Sequence, residues 1–290
     1  MSSQKKLNRI DRPQGKHMVG DGFPVQTLLS YSRHGSDVSP FLLLDYAGPA
    51  EFEPSDRPRG VEEHPHRGFE TVTIVYAGGL AHRDSGGNFG EIGPGDIQWM
   101  TAASGVVHEE MHSPSFTRSG GLFEVVQLWV NLPSSEKMSS PRYQEIVSAT
   151  VPVVDLANGK ARVIAGTAWG VTGPARTVTP LNVIDIRFSD PGRFNVQILE
   201  GHTATIVVLD SVLSFDGEIV DTPQVCIFSV EGEAIAFDVV QPGKILVLSG
   251  EPIEEPIAGY GPFVMNTQSE IRQAVADYQA GRMGRLPTLV

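Results

Sequence analysis

His64-Pro65-His66-Arg67-Gly68-Phe69-Glu70-Thr71-Val72-Thr73-Ile74-Val75-Tyr76, with Gly93-Pro94-Gly95-Asp96-Ile97-Gln98-Trp99-Met100 and Gly105-Val106-Val107-His108-Glu109-Glu110-Met111 further on, are the stretches that decide how this chain folds. Each carries a short apolar run bounded by Gly, Pro or Asp, which is the pattern of antiparallel strands joined by tight turns. In an extended segment residues i and i+2 point to the same side. His64 and His66 can therefore reach one ion, and so can His108 and Glu110, with Glu109 turned away. A single His-x-His pair is more often coincidence than a site. A second pair, beyond the turn at Gly93-Pro94-Gly95-Asp96, turns the reading to one shared metal centre. Carried on separate strands of one barrel, the pairs offer three neutral nitrogens and a carboxylate, a donor set that suits Fe(II), Mn, Co, Ni, Cu or Zn. Pro65 cannot donate to a strand ladder, so the first pair belongs on an edge, at a bulge or at the start of a strand.

Outward from these stretches the same texture continues. Phe41-Leu42-Leu43-Leu44, Phe123–Val130, Ile184–Phe188, Thr205–Leu209 and Lys244–Leu248 are strand-length runs separated by Gly, Pro, Asp and Asn clusters, as in an all-β sandwich or barrel. The chain has 290 residues with 31 Gly and 21 Pro, enough for two β domains each with its own core. Leu132-Pro133-Ser134-Ser135-Glu136-Lys137-Met138-Ser139-Ser140-Pro141 is polar and bracketed by proline, and reads as the linker. The expected domains are 1–135 and 136–290. One helix is expected, at about 267–281, where Thr267 and Glu270 form a capping box, Ile271, Ala274, Val275 and Tyr278 recur at helical spacing, and Gly281 ends the run. Its apolar stripe calls for a β domain to pack on.

Composition removes several function classes. The formal charge is −12, from 34 acidic against 22 basic residues with no basic run, which argues against direct nucleic-acid binding and against an anionic membrane surface. The N-terminal MSSQKKLNRIDRPQG has no apolar stretch after its basic residues, and no run is long enough to cross a bilayer. The lone cysteine, Cys226, lies in Val225-Cys226-Ile227-Phe228 and reads as a buried small hydrophobe. A cytoplasmic, reducing setting and a monomeric chain are the expectation.

His64-Pro65-His66-Arg67-Gly68-Phe69-Glu70-Thr71, His82-Arg83-Asp84-Ser85, Gly93-Pro94-Gly95-Asp96-Ile97-Gln98-Trp99-Met100-Thr101-Ala102, Gly105–Met111 and the closing Gly261-Pro262-Phe263-Val264-Met265-Asn266-Thr267 together closely resemble pirins, in the cupin superfamily. The resemblance covers nearly the whole chain and is weakest between about residues 147 and 258. It implies a bicupin, two stacked antiparallel barrels of jelly-roll type with a C-terminal helix. It also implies one metal, usually Fe(II), in the N-terminal barrel alone, with ligands at His64, His66, His108 and Glu110. The second half has no His-x-His, and His202 should be structural. In many other cupins the carboxylate ligand lies four residues after the His-x-His, here Glu70, which an uninterrupted strand would also turn inward. The pirin pattern favours Glu110.

The resemblance implies two kinds of function. One is a quercetin 2,3-dioxygenase, with a flavonol-like substrate and O2, in which Glu110 serves as ligand and as the base that takes the 3-hydroxyl proton. The other is a non-enzymatic metal protein, regulatory or redox-sensing, whose partner is a transcription factor or a metabolic enzyme. Fold alone does not choose between them. His82, Gln98 and His112 are polar neighbours that could serve the site, join a hydrogen-bond network or face solvent.

Overall fold

The computed structural model describes residues 3–13 and 15–287. Its described residues fall into two compact units that interleave along the sequence. One comprises Gly15–Thr27, Phe41–Ser148 and Ile253–Val290; the other comprises Met1–Gln14, Leu28–Pro40 and Ala149–Pro252. Among the described residues no helix is long and apolar enough to cross a membrane.

Each unit is a cupin jelly roll made from a seven-stranded and a four-stranded antiparallel sheet. This is the jelly-roll arrangement expected from sequence, with the two sheets of a unit facing each other and sharing no ladder. In the unit that holds the histidine motifs, the four-stranded sheet runs Gly60–His66, Val106–His112, Leu80–Asp84, Phe89–Ile92. Its larger sheet has Phe69–Ala77 between Ile97–Thr101 and Gly121–Asn131. In the other unit, strict period-2 alternation fills the interior. Ile184, Ile186 and Phe188 meet Phe194, Val196 and Ile198, with Ala204, Ile206 and Val208 and with Ile235, Phe237 and Val239 in the same cluster. Cys226 is part of that core, fully buried, and burial pushes its thiol well above the ordinary cysteine range. That environment is the opposite of the electropositive, accessible one that activates a thiol.

The interleaving departs from the single boundary after residue 135, and the reasons are local. Arg142–Ile146 pairs with Ile97–Thr101 and so extends the sheet of the histidine unit. The stretch read as a linker is held down by Lys137, whose buried ammonium donates to Gly68 O (2.7 Å), Asn131 Oδ1 (2.7 Å) and Val264 O (3.1 Å). Burial lowers that lysine to about 8. Leu7–Asp11 pairs with Gln224–Phe228, which draws the N-terminal strand into the other unit. The helix forms as expected, over Gln268–Gln279 with Thr267 and Glu270 in a reciprocal capping box. Its stripe, however, packs on the histidine unit, where Ile271 and Ala274 meet Val107, Phe263, Met265 and Met283. Beneath it Arg67 Nη1 donates to Asp277 Oδ2 at 2.7 Å, and Asp277 also takes Arg282 and Gln273. These donors, Arg67 foremost, hold the Asp277 carboxyl down at about 2.

Candidate metal centre

The strands Gly60–His66 and Val106–His112 pair antiparallel with His108 opposite His64 and Val106 opposite His66. Side chains directly opposed across such a pair lie a few ångströms apart, so two motifs distant in sequence converge by register alone. His64, His66 and His108 each offer one ligand atom, and the three atoms lie within 4.8 Å of one another. Ring centroids are 4.2 Å apart for His64 and His108, 4.8 Å for His64 and His66, and 4.9 Å for His66 and His108. His66 and His108 are buried while His64 is half-buried, so the cluster opens on the His64 side.

The hydrogen bonds show which nitrogens are left over. Nδ1 of His64 meets the Glu62 carbonyl at 2.7 Å, Nδ1 of His66 meets the Pro262 carbonyl at 3.4 Å, and Nδ1 of His108 meets His82 Nδ1 at 3.4 Å. Nε2 of His108 has no partner although the residue is fully buried. A buried nitrogen without a partner is costly unless something occupies its lone pair. Burial, and after it the nearby His64, holds His66 and His108 well below the ordinary histidine range, so both imidazoles are neutral. Converging imidazoles, two of them neutral and one with an unsatisfied buried nitrogen, fit a divalent transition metal.

Glu110 lies in the same interior but outside the three-histidine cluster. A register shift between His108 and Glu110 places Glu110 opposite Val61 rather than Glu62 on the strand that carries His64, while its partner on the neighbouring strand is His82. Its carboxylate is gripped by three side chains: Thr73 Oγ1 and Gln98 Nε2 donate to Oε1, each at 3.2 Å, and Gln127 Nε2 donates to Oε2 at 2.7 Å. Oε1 is thereby filled, and Oε2 keeps a lone pair. Glu109 faces the other way, where Arg83 Nη2 donates to its Oε2 at 3.0 Å and Arg83 Nε to its Oε1.

Glu70 does not share this interior, contrary to the uninterrupted-strand expectation. The strand ends at His66 and the next begins at Phe69, with Gly68 between them at φ +89°. A side chain at Gly68 would meet Val264 O at 2.0 Å, so only glycine serves. The break shifts the alternation by one. Phe69, not Glu70, then faces the metal cluster, 5.1 Å from His66 and 4.3 Å from Trp129. Glu70 turns to the opposite face of the sheet, 1% exposed, with Thr101 Oγ1 donating to its Oε1 at 2.6 Å. Burial raises its carboxyl to about 6.

The other polar candidates separate clearly. Gln98 holds Glu110, and His82 sits between His108 and Asp84. His112, at the far end of its strand, is enclosed by Phe23, Phe52, Phe116 and Phe123, with Nε2 3.0 Å from Gly22 O. His202 belongs to no cluster of potential ligands among the described residues. Thr73, Gln127, Asp84 and Tyr143 are site-region residues that the sequence reading missed. Gln127 carried a usable signal, an amide amid the apolar residues of Val125–Val130; Tyr143 was cut away by the misplaced linker.

Comparison with known proteins gives a consistent picture. The family model "Pirin" matches residues 22–130, and "Pirin C-terminal cupin domain" matches residues 183–284. A Pseudomonas aeruginosa protein provisionally named a quercetin 2,3-dioxygenase is 51% identical over 283 residues, covering 97% of this chain and 99% of that protein. The 1.88 Å crystal structure of quercetin 2,3-dioxygenase from Acinetobacter baumannii superposes with a TM-score of 0.95 at 47% identity, over 97% of this chain and 99% of that one. The bacterial pirin YhhW from Escherichia coli, solved in complex with nickel(II), shares the fold alone, with a TM-score of 0.63 at 18% identity over 84% of this chain and 100% of that one.

Proposed function

This chain belongs to the pirin family, and on that premise we propose that it is a metal-dependent dioxygenase of the quercetinase type, acting on a flavonol or a similar enolic or phenolic compound. The observation that carries the reading is the set of three converging imidazoles with an unpartnered Nε2 on His108. His64, His66 and His108 hold the metal, with Glu110, two residues on from His108, as the carboxylate; Fe(II) is the ion we propose. When bound, the metal supplies Lewis acidity toward the substrate's 3-oxygen and a one-electron partner for O2.

The protein's own groups do the rest. Glu110 takes the proton of the 3-hydroxyl at Oε2, the oxygen that accepts only from Gln127. Thr73 and Gln98 keep the carboxylate plane fixed through Oε1, so the accepting lone pair does not wander. Phe69 and Trp129 form an apolar wall beside His66 that keeps water from that side. In the overall reaction both atoms of O2 enter the ring-opened product and one ring carbon leaves as carbon monoxide.

Oxygen consumption with quercetin, measured on Fe(II)-loaded protein and normalised to bound metal, tests this. Wild type should turn over, and Glu110→Gln should lose about 10²- to 10⁴-fold, the usual loss for a general base. Equal rates would remove Glu110 from the proton transfer. A fully loaded wild type without oxygen uptake on any flavonol would instead favour the non-enzymatic role, a metal protein that acts through a protein partner.

A further inference from the structure

Behind His108 lies a further buried histidine, His82. His82 is 2% exposed, its ring stacked on Tyr143 at 4.9 Å and 16°, with Nδ1 3.4 Å from His108 Nδ1 and Nε2 3.2 Å from Asp84 Oδ2. Asp84 is 1% exposed. Every other group that touches its carboxylate is a donor: Gly86 N, Asn88 N and Asn88 Nδ2 on Oδ1, at 2.8, 3.0 and 3.0 Å, and Asn88 Nδ2 again on Oδ2 at 2.8 Å. Burial alone would raise this carboxyl, but the hydrogen bonds from His82 and Asn88 outweigh it and keep Asp84 below the ordinary range. With donors on every side the aspartate is an acceptor only, and the protons along the line follow. In the neutral imidazole, the hydrogen on Nε2 that His82 donates to Asp84 leaves its Nδ1 a lone pair. That lone pair can only accept, so His108 carries its hydrogen on Nδ1. Nε2 of His108 is then the nitrogen with the free lone pair, the same atom that lacks a partner in the cluster.

We infer that Asp84 and His82 are positioning residues that set the tautomer of His108 through two successive hydrogen bonds, so that Nε2 is presented as a metal ligand. The inference rests on the proposed metal site and adds its wiring. The tautomers of the other two ligands are fixed in one step, by the backbone carbonyls of Glu62 and Pro262. His108 sits in mid-sheet with a side chain for a neighbour, and needs a relay that ends on a fixed charge.

Asp84→Asn tests the relay without dismantling its surroundings. The amide oxygen keeps the bonds from Gly86 N, Asn88 N and Asn88 Nδ2 at the Oδ1 position, while the amide nitrogen takes the Oδ2 position, gives up the second bond from Asn88 Nδ2, faces His82 and can only donate. The hydrogen of His82 is then driven to Nδ1, and that of His108 to Nε2, into the ligand cluster. Two readouts are needed: histidine tautomers of metal-free protein by ¹⁵N NMR, and Zn(II) affinity by chelator competition. In wild type His108 should be the Nδ1–H tautomer; in Asp84→Asn it should be Nε2–H, with Zn(II) bound about 10- to 100-fold more weakly, the usual effect of losing an outer partner. His82→Gln, which still offers one acceptor and one donor, should stay within a few-fold of wild type, whereas His82→Leu should match Asp84→Asn. An Nε2–H tautomer of His108 in wild type overturns the relay, and so does Asp84→Asn with unchanged Zn(II) affinity. Wild type that shows the Nδ1–H tautomer yet binds no Zn(II) leaves the relay standing and overturns the metal reading instead.

Discussion

In the histidine unit, the strands Gly60–His66 and Val106–His112 set His64 opposite His108; in the other unit, Gly192–Gln197 and Ala234–Gln241 set Phe194 opposite Phe237. The two pairs occupy the same place in their four-stranded sheets, the first strand in chain order beside the last, followed by the two middle strands. One scaffold thus carries imidazoles where its counterpart carries phenyl rings. Around Phe237 the interior is apolar throughout, from Ile184 to Val247. Around His108 it is a chain of paired polar groups, Glu110 with Thr73, Gln98 and Gln127, and His82 with Asp84. The comparison teaches that a jelly roll needs inward alternation, not a particular filling. A polar filling is tolerated where its groups are paired, and within the histidine cluster the unpartnered Nε2 of His108 marks the site.

The most severe way to break this comparison is to empty the site. His108→Ala should reduce bound metal from roughly one ion per chain to background with the fold retained, measured by metal analysis and circular dichroism. A second ion in wild type, lost on changing His202, would show that the phenylalanine-filled unit is not inert. Phe237→Ala should cost about 3–5 kcal/mol of stability through the cavity it leaves, with metal per folded chain unchanged. If metal fell in proportion to stability, the two fillings would not be independent.

Glu70 offers a sharper, pH-dependent test. Its folded-state value of about 6 lies above the ordinary 4.5, so its favourable contribution is complete below about pH 4.5 and is lost as pH rises through about 6. Glu70→Gln removes that loss. The variant should therefore gain on wild type as pH rises from about 4.5, reaching up to about 2 kcal/mol above pH 7 by urea unfolding, with bound metal and turnover retained. A stability difference that does not change with pH would refute the assignment. The smallest expected effect is Cys226→Ala, about 1 kcal/mol for a methyl-sized void, with turnover and metal content intact. Loss of turnover there, at full metal content, would bring the thiol back into the chemistry.

How much of this was legible in the sequence varies with the distance over which each feature is determined. The three histidines were readable because period-2 geometry is local and the motifs are dense. Glu109 was rightly turned outward for the same reason. Glu70 was not readable by alternation, since its side of the sheet is decided by the backbone at Gly68, a position that Val264 and Lys137 constrain from far along the chain. The capping box of the C-terminal helix was plain, but which unit would cover Ile271 and Ala274 was not, because an apolar stripe states only that it must be covered. Likewise the pairing of Leu7–Asp11 with Gln224–Phe228 leaves no mark in either segment.

The carbonyl that orients His66 belongs to Pro262, 196 residues further along the chain. A ribosome adding about 5–20 residues per second needs roughly 10–40 s to cover that distance. During that interval the histidine strand has emerged, but Pro262, Asp277 and Met283, which hold His66, Arg67 and Ser85 in place, have not yet been made. The orientation of His66 is thus an event of late synthesis, although the three histidines themselves are made early.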